Sequence, residues 1–403
     1  MRVALELDLG PKAQAFRDEL RQWLEANRPE QLIGVEFERA AAFGNDPAMA
    51  AWTEELHKAG YLCVGWPQEY GGRGLSGLEV VAMNEEFARA GVPRVTRGMG
   101  EWLVGPSIIV WGTDEQKAHF LPRIIDGCDR YCQGFSEPDA GSDLASLKTR
   151  GIVDGDEIVI TGQKVWTSGA QWATMMFCLC RTDPDAPKHR GISYVLTPMR
   201  REDGDSNGFE LRPIKQLTGG SMFTETFITE ARAPLFNVIG GVNNGWRVTM
   251  TTLGNERGGN ATTQHLQYTK QFWAAVELAR ELGVDSDPLV RQQLAWAYTH
   301  CEIMRFQGLR LLSEVIAKRE PGPASALNKM FWSEYAQRFA ELITNWRGMA
   351  STVLGENGSG YPLDRWQQAF LTTRSVTIWG GTAQVQRNIA GERVLGLPKE
   401  ARG

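Results

Sequence analysis

The stretch Tyr131–Asp143, YCQGFSEPDAGSD, divides the chain into two hydrophobic regimes. Before it, AQAFRDELRQWLEAN, MAAWTEELHKAGYL and GLEVVAMNEEFARAG repeat their apolar residues every three or four positions, as amphipathic helices do. After it, EIVITGQKVWTS, ATMMFCLCRTD, GISYVLTPM and SMFTETFITEARAP are short strand-like runs divided by Gly, Pro and Asp. Beyond Gly245 the helical spacing returns. Leu289, Leu294, Tyr298 and Cys301 form one apolar stripe, and Leu327, Phe331, Tyr335, Phe339, Leu342 and Trp346 another, as in a bundle. The order predicts an α+β protein: a helical N-terminal domain (1–126), an antiparallel β middle domain (127–238) and a helical-bundle C-terminal domain (239–403). The dividing stretch sets Ser136 and Gly141-Ser142 around a rigid Pro138. Amides and small hydroxyls beside glycine approach a flat heterocycle or a phosphate without steric penalty. Downstream, Lys164–Ser168 (KVWTS) offers an aromatic face and two hydroxyls at the end of a strand run. Taken alone, either stretch also reads as a structured turn.

Composition narrows the function classes. A net charge of −5 with 23% charged residues gives no basic footprint for DNA or RNA. The N-terminus, MRVALELDLGPKAQAF, lacks a long apolar core, so no signal peptide is predicted. No window approaches 18 uninterrupted apolar residues, so no membrane span is predicted. The six cysteines are scattered and Cys178-Leu-Cys180 lacks C-x-x-C spacing, which fits a reducing, cytoplasmic setting without metal. Five histidines show no ligand spacing.

Some motifs are formal only. Gly72–Gly77 (GRGLSG) satisfies G-x-G-x-x-G, but no buried parallel strand precedes it, so it reads as the glycine-rich start of a helix. Asn260-Ala-Thr and Asn357-Gly-Ser are sequons without a secretory context.

Taken with Gly380–Arg387 (GGTAQVQR), Tyr131–Asp143 resembles the two flavin-and-thioester signatures of the acyl-CoA dehydrogenases. The first matches the family's aromatic-Cys-x-x-[ST]-E-P-x-A-G-S-D pattern, the second its G-T-A-Q-x-Q-R segment in register. The resemblance runs from WPQEYGGRGLS through GTDEQKAHFLPRI to IAGERVLGLP, nearly the whole chain. It implies bound FAD and an acyl-CoA substrate. It also implies transfer of electrons to an electron-transferring flavoprotein and assembly as a homo- or hetero-oligomer, a dimer of dimers in the family. By resemblance, Gln133, Phe135 and Ser136 lie at the flavin pyrimidine side. Trp166 lies beside the isoalloxazine with Thr167, and Ser168 near its reactive nitrogen. Gly381, Thr382 and Gln384 belong to the same cofactor site. Ser142 lies along the pantetheine arm, and Arg257 and Gly380 belong to the substrate side.

The chemistry needs a carboxylate. Forming an α,β-double bond in a thioester removes a weakly acidic α-proton and passes a β-hydride to flavin, and a buried glutamate suits the proton step. Many members carry that glutamate at the position of Gly380. Glycine keeps the backbone amide that helps hold the enolate oxygen and surrenders the side chain. Some members, the isovaleryl type among them, carry the base on a helix as Glu-Arg, and Glu256-Arg257 matches that pattern. Thr249, Thr252, Leu253 and Asn260 on the same helical face are small or uncharged, as a ligand-facing stripe requires. A structural Glu-Arg ion pair is the plainer reading. Glu101, in RGMGEWLVGPS, is a third possibility for the base.

Two segments depart from the family. No R-x-x-F-G follows Gln271, and TVLGENGSGYP differs from the usual Q-I-L-G-G-N-G-F, so the adenosine end of FAD is held differently. Some bacterial family members acting on steroid side-chain thioesters pair unlike subunits. Two alternatives stand beside the dehydrogenase: a non-catalytic or half-site subunit of a heteromer, and an oxidase of the same fold. The acyl group stays open among branched, fatty and steroidal chains.

Overall fold

The computed structural model describes residues 9–35, 46–258, 264–317, 325–354 and 362–399. It forms two compact units, Met1–Pro213 with Phe223–Asn255, and Ile214–Met222 with Glu256–Gly403.

The first unit opens with helices α1 (Pro11–Asn27), α2 (Pro47–Lys58), α3 (Gly77–Ala90), α4 (Gly105–Trp111) and α5 (Asp114–Ile125). Their starts are written locally. Asp46 caps α2, while Ser76 with Glu79 and Thr113 with Gln116 form capping boxes on α3 and α5. The Gly72–Gly77 run thus leads into α3 as a turn, and a Cβ on Gly72 would lie 2.1 Å from the Trp66 carbonyl oxygen. Gln116 also reaches the sheet, donating from Nε2 to the Phe236 and Val238 carbonyls. A π-helical turn, Gly100–Val104, precedes α4.

The sheet that follows contains β1 (Tyr131–Gly134), β2 (Arg150–Asp154), β3 (Glu157–Ser168), β4 (Met175–Arg181), β5 (Ile192–Pro198), β6 (Phe209–Ile214), β7 (Phe223–Pro234) and β8 (Val238–Ile239). Their order is β6-β7-β3-β2-β4-β5-β8, with β1 beside β4. The antiparallel expectation needs correction, because β1–β4 and the single β2–β4 pairing are parallel and the sheet is mixed. Strand-run periodicity reports which faces are buried and is blind to strand direction. β4 is buried on both faces. Phe177 and Leu179 face a core with Val104, Ile108, Phe120 and Ile124, and Met176, Cys178 and Cys180 face one with Ile158, Ile160 and Ala231.

Helix α6 (Gly245–Gly258) leads into α7 (Gln264–Glu281), α8 (Pro288–Ile316), α9 (Ser325–Arg347), α10 (Arg365–Thr373) and α11 (Ala383–Ile389). Tyr268, Phe272, Cys301, Tyr335, Phe339 and Ile343 meet in the core of the second unit. The stripe expected on α9 is buried at Tyr335 and Phe339; of the one expected on α8, Cys301 is buried and Leu294 packs against the core, while Leu289 and Tyr298 stay exposed. Leu289 and Tyr298 are 71% and 43% exposed, and the buried row is Ala297, Cys301 and Met304. At about 100° per residue, Leu289 and Tyr298 stand half a turn apart and cannot share a face.

Candidate active site

In the first unit, Phe135-Ser136 and Trp166–Ser168 lie side by side. The β3–β7 ladder shifts register between Lys164 and Thr167, and there the Val165 amide donates instead to the Ser136 carbonyl at 2.9 Å. The bulge puts Trp166 at φ 61° and leaves its side chain 59% exposed. A bulky residue in left-handed conformation costs about 1–2 kcal/mol, and a mostly exposed indole, in edge contact with Phe223, recovers little of that by burial. Strain of this kind, held by its surroundings, belongs to functional sites. Ser168 and Ser136 are half-buried and reachable. Thr167 is fully buried, and its hydroxyl has no partner within the described residues. It supports the platform from inside and is closed to direct side-chain contact. The Phe135 ring is likewise in the core, edge-on to Phe177, so this residue presents only its backbone to a ligand. Gln133 is half-buried in β1, whose close approach to β4 requires Gly134; a Cβ there would stand 2.4 Å from the Met176 sulfur.

Beneath these segments lies a pair to which the sequence motifs gave no role. Lys164 is fully buried, its Nζ 2.9 Å from Glu137 Oε1 and 3.1 Å from the Phe135 carbonyl. The signal was available: Ile158, Ile160, Gly162 and Lys164 share one parity in β3, so Lys164 had to point inward. Glu137 also accepts the Lys148 and Thr149 amides at 2.6 and 2.8 Å. Burial alone would raise its carboxyl; the Lys164 charge and these hydrogen bonds hold it below the ordinary glutamate value. Ser142 is exposed, next to an Asp143 that pairs with Lys188.

Glu101 sits in the π-helical turn, 7% exposed, accepting the Arg97 amide at 2.9 Å. Burial raises its carboxyl above the ordinary range, against the opposing pull of the Arg94 charge. Its carboxylate is built into the helical region and already bonded.

In the second unit, Gly380 and Gly381 take φ of 65° and 92° in succession, a conformation that L side chains resist. The turn before them is fastened from α9. Lys329 Nζ donates to the Val376 carbonyl at 2.6 Å, and Gln337 Nε2 to Thr377 Oγ1 at 3.0 Å. Thr382 is the N-cap of α11, its Oγ1 accepting the Val385 amide at 3.1 Å. Its hydroxyl proton stays available to a ligand. Gln384 points to solvent, while Gln386 is fully buried and donates to the Gly380 carbonyl at 3.4 Å.

Glu256 and Arg257 continue α6, but their side chains, and Asn260 altogether, lie outside the described residues. The face expected to meet a ligand is occupied by protein further up the helix. Thr249 and Thr252 are fully buried, and Thr252 Oγ1 is 2.8 Å from Ser107 Oγ. Small polar residues on a helix serve a tight helix–helix contact as well as a ligand, and sequence alone does not separate the two uses.

The first unit thus carries a strained, exposed indole beside two half-buried hydroxyls, and the second carries tandem left-handed glycines ahead of a capped helix. The family descriptions "Acyl-CoA dehydrogenase, N-terminal domain", "middle domain" and "C-terminal domain" match residues 10–128, 132–230 and 243–395. The acyl-CoA dehydrogenase IpdE1 of Mycolicibacterium smegmatis is 41% identical over 97% of this chain and 100% of its own length. Among solved structures, the Tcur3481-Tcur3483 steroid ACAD is 33% identical with a TM-score of 0.81, covering 98% of this chain and 100% of that one. The ChsE4-ChsE5 complex of Mycobacterium tuberculosis is 30% identical with a TM-score of 0.79, covering 99% and 100%. The chain therefore belongs to the acyl-CoA dehydrogenase family, whose members depend on FAD, and is an acyl-CoA dehydrogenase, an oxidoreductase.

Proposed function

We propose that the chain desaturates a bulky, ring-bearing acyl-CoA of the steroid-derived class, with Glu256 as the base. The observation that carries this is Gly380 standing where many relatives carry the glutamate, in a chain that keeps Glu256-Arg257 on α6. The Gly380 amide remains to hold the thioester oxygen as negative charge develops on it. Glu256 takes the α-proton, and Arg257 assists on the substrate side. Ser136, Trp166 and Ser168 would orient the flavin, with Thr167 behind them, and Gly381, Thr382 and Gln384 would be cofactor residues by their place in the G-T-A-Q-x-Q-R motif. Ser142 lines the pantetheine arm. Bound FAD supplies the acceptor for the β-hydride, and the electrons leave to an electron-transferring flavoprotein. The substrate class is supported by the steroid ACAD among the related structures.

Glu256→Gln keeps shape and removes the base. It is expected to bind acyl-CoA and FAD normally while anaerobic flavin bleaching slows by about 10²–10⁴. Near-normal bleaching in this variant would move the base to Glu101 or to a partner subunit. Release of hydrogen peroxide in air at the rate of turnover would instead identify an oxidase.

A second reading concerns assembly. The R-x-x-F-G segment is missing, and two of the related structures are named for two unlike components. These support a heteromer in which an unlike subunit completes the FAD site.

A further inference from the structure

A buried ion pair is a poor way to stabilise a core. Two charges lose their hydration, and apolar residues of equal volume usually serve as well. Lys164 with Glu137 therefore needs a reason beyond stability, and its connections supply one. The ammonium holds the Phe135 carbonyl and the Glu137 carboxylate, on either side of Ser136. Glu137 is itself anchored by two amides, from Lys148 and Thr149. Two residues after Lys164 comes Trp166, left-handed at φ 61° in the gap of the β3–β7 ladder, where Val165 is paired with Ser136. One side chain thus ties together the two segments that carry Ser136 and Trp166, at the point where the regular ladder lets go.

We propose that Lys164 is a positioning residue: its ammonium, locked by Glu137, staples Phe135-Ser136 to the Trp166 bulge and holds both in the register that receives the flavin. The proposal rests on the assignment of these segments to the flavin. Without the staple the bulge is free to relax toward regular pairing with β7, and Trp166 and Ser168 lose their fixed relation to Ser136. The ammonium acts through Phe135 and Glu137 and takes no part in the chemistry.

The test uses the holoenzyme, with its partner subunit if one co-purifies, and two readouts independent of turnover. These are the rate of FAD release on dilution, followed by flavin fluorescence, and the visible circular dichroism of the bound flavin. The charge-balanced pair Lys164→Met with Glu137→Gln removes the staple and leaves no lone buried charge. It is expected to melt with the parent, release FAD about tenfold faster and alter the flavin dichroism, the scale of one lost hydrogen bond. Glu137→Asp, which keeps the charge and shortens the reach, covers the case of a double variant that does not fold, and it too is expected to release FAD faster. Trp166→Phe and Ser168→Val probe the platform directly. If they change both readouts while the staple variants match the parent, the positioning role is overturned and the flavin assignment stands. If Trp166→Phe and Ser168→Val also match the parent, the flavin lies elsewhere and both fall. A drop in melting temperature with unchanged release and dichroism reduces the pair to a core contact and overturns the proposal.

Discussion

At the residue scale, backbone conformation separates positions that side-chain chemistry leaves alike. Trp166 and Gly380 are both left-handed, but only one of them is a glycine. Replacing Trp166 by Gly relieves the strain, and replacing it by Ala keeps it. The Gly variant is therefore expected to be about 1 kcal/mol more stable than the Ala variant in chemical denaturation, with both binding FAD more weakly than the parent. The reverse order would mean that the strain is absent in solution. At Gly380 the same rule acts in the other direction. Gly380→Ala is expected to cost about 1–2 kcal/mol. Placing a glutamate there in the Glu256→Gln background would carry that cost as well, so any recovery of flavin bleaching should be small. The residue identities Gly380 and Glu256 were legible in the sequence; the φ of 65° that makes a side chain at position 380 expensive was not.

At the element scale, the helical runs AQAFRDELRQWLEAN, MAAWTEELHKAGYL and GLEVVAMNEEFARAG give helices α1, α2 and α3, and several helix starts carry local caps. Ser76 and Thr113 start α3 and α5 with capping boxes, and Thr382 starts α11. Thr382→Val should accordingly cost about 1 kcal/mol through the lost cap, whatever it does to the flavin, while Thr382→Ser should melt with the parent. A Val variant that melts with the parent would show the cap to be idle. In the loop after β1, the Glu137 carboxyl is held below its unfolded value, so its contribution is fully present above the ordinary glutamate value of about 4.3 and fades as the pH falls through the lower folded value. The melting temperature of Glu137→Gln should thus fall less steeply than the parent's as the pH drops below about 4.3. Parallel slopes would remove Glu137 from the acid transition. Strand direction escaped the sequence because periodicity records which residues are apolar, while pairing is fixed by what the strand meets; the place of Leu289 in the α8 stripe was a spacing error, since it stands half a turn from Tyr298.

For the whole molecule, the question is what one chain lacks. The second unit leaves Ile378 63%, Leu395 71% and Leu397 55% exposed, close in sequence to Gly380–Gln384. The sequence lacks the R-x-x-F-G segment on which the proposed heteromer rests. Purified alone, the chain is expected to hold well under one FAD; purified with an unlike family subunit, it should carry stoichiometric flavin and elute as a heteromer. Full flavin content and full acyl-CoA reduction by the chain alone would overturn the heteromeric reading. Among the described residues, no helix is long and apolar enough to cross a membrane.

The sequence by itself determined the order of helical and strand regions and the chemistry on offer. Both are written in short-range spacing and in motifs such as Tyr131–Asp143 and Gly380–Arg387, which need no tertiary context to be read. Only the tertiary structure decided which of those residues are reachable. Thr167 and Ser168 are neighbours with the same hydroxyl chemistry, yet one is fully buried and the other half-exposed, because the bulge at Trp166 sets the side each faces. It also turned an unremarked lysine into the centre of the site's support, since Lys164 acquires its meaning from Glu137 and Phe135, 27 and 29 residues away along the chain. Local spacing carries identity and period; accessibility and partnership come from contacts that distant segments make only once folded.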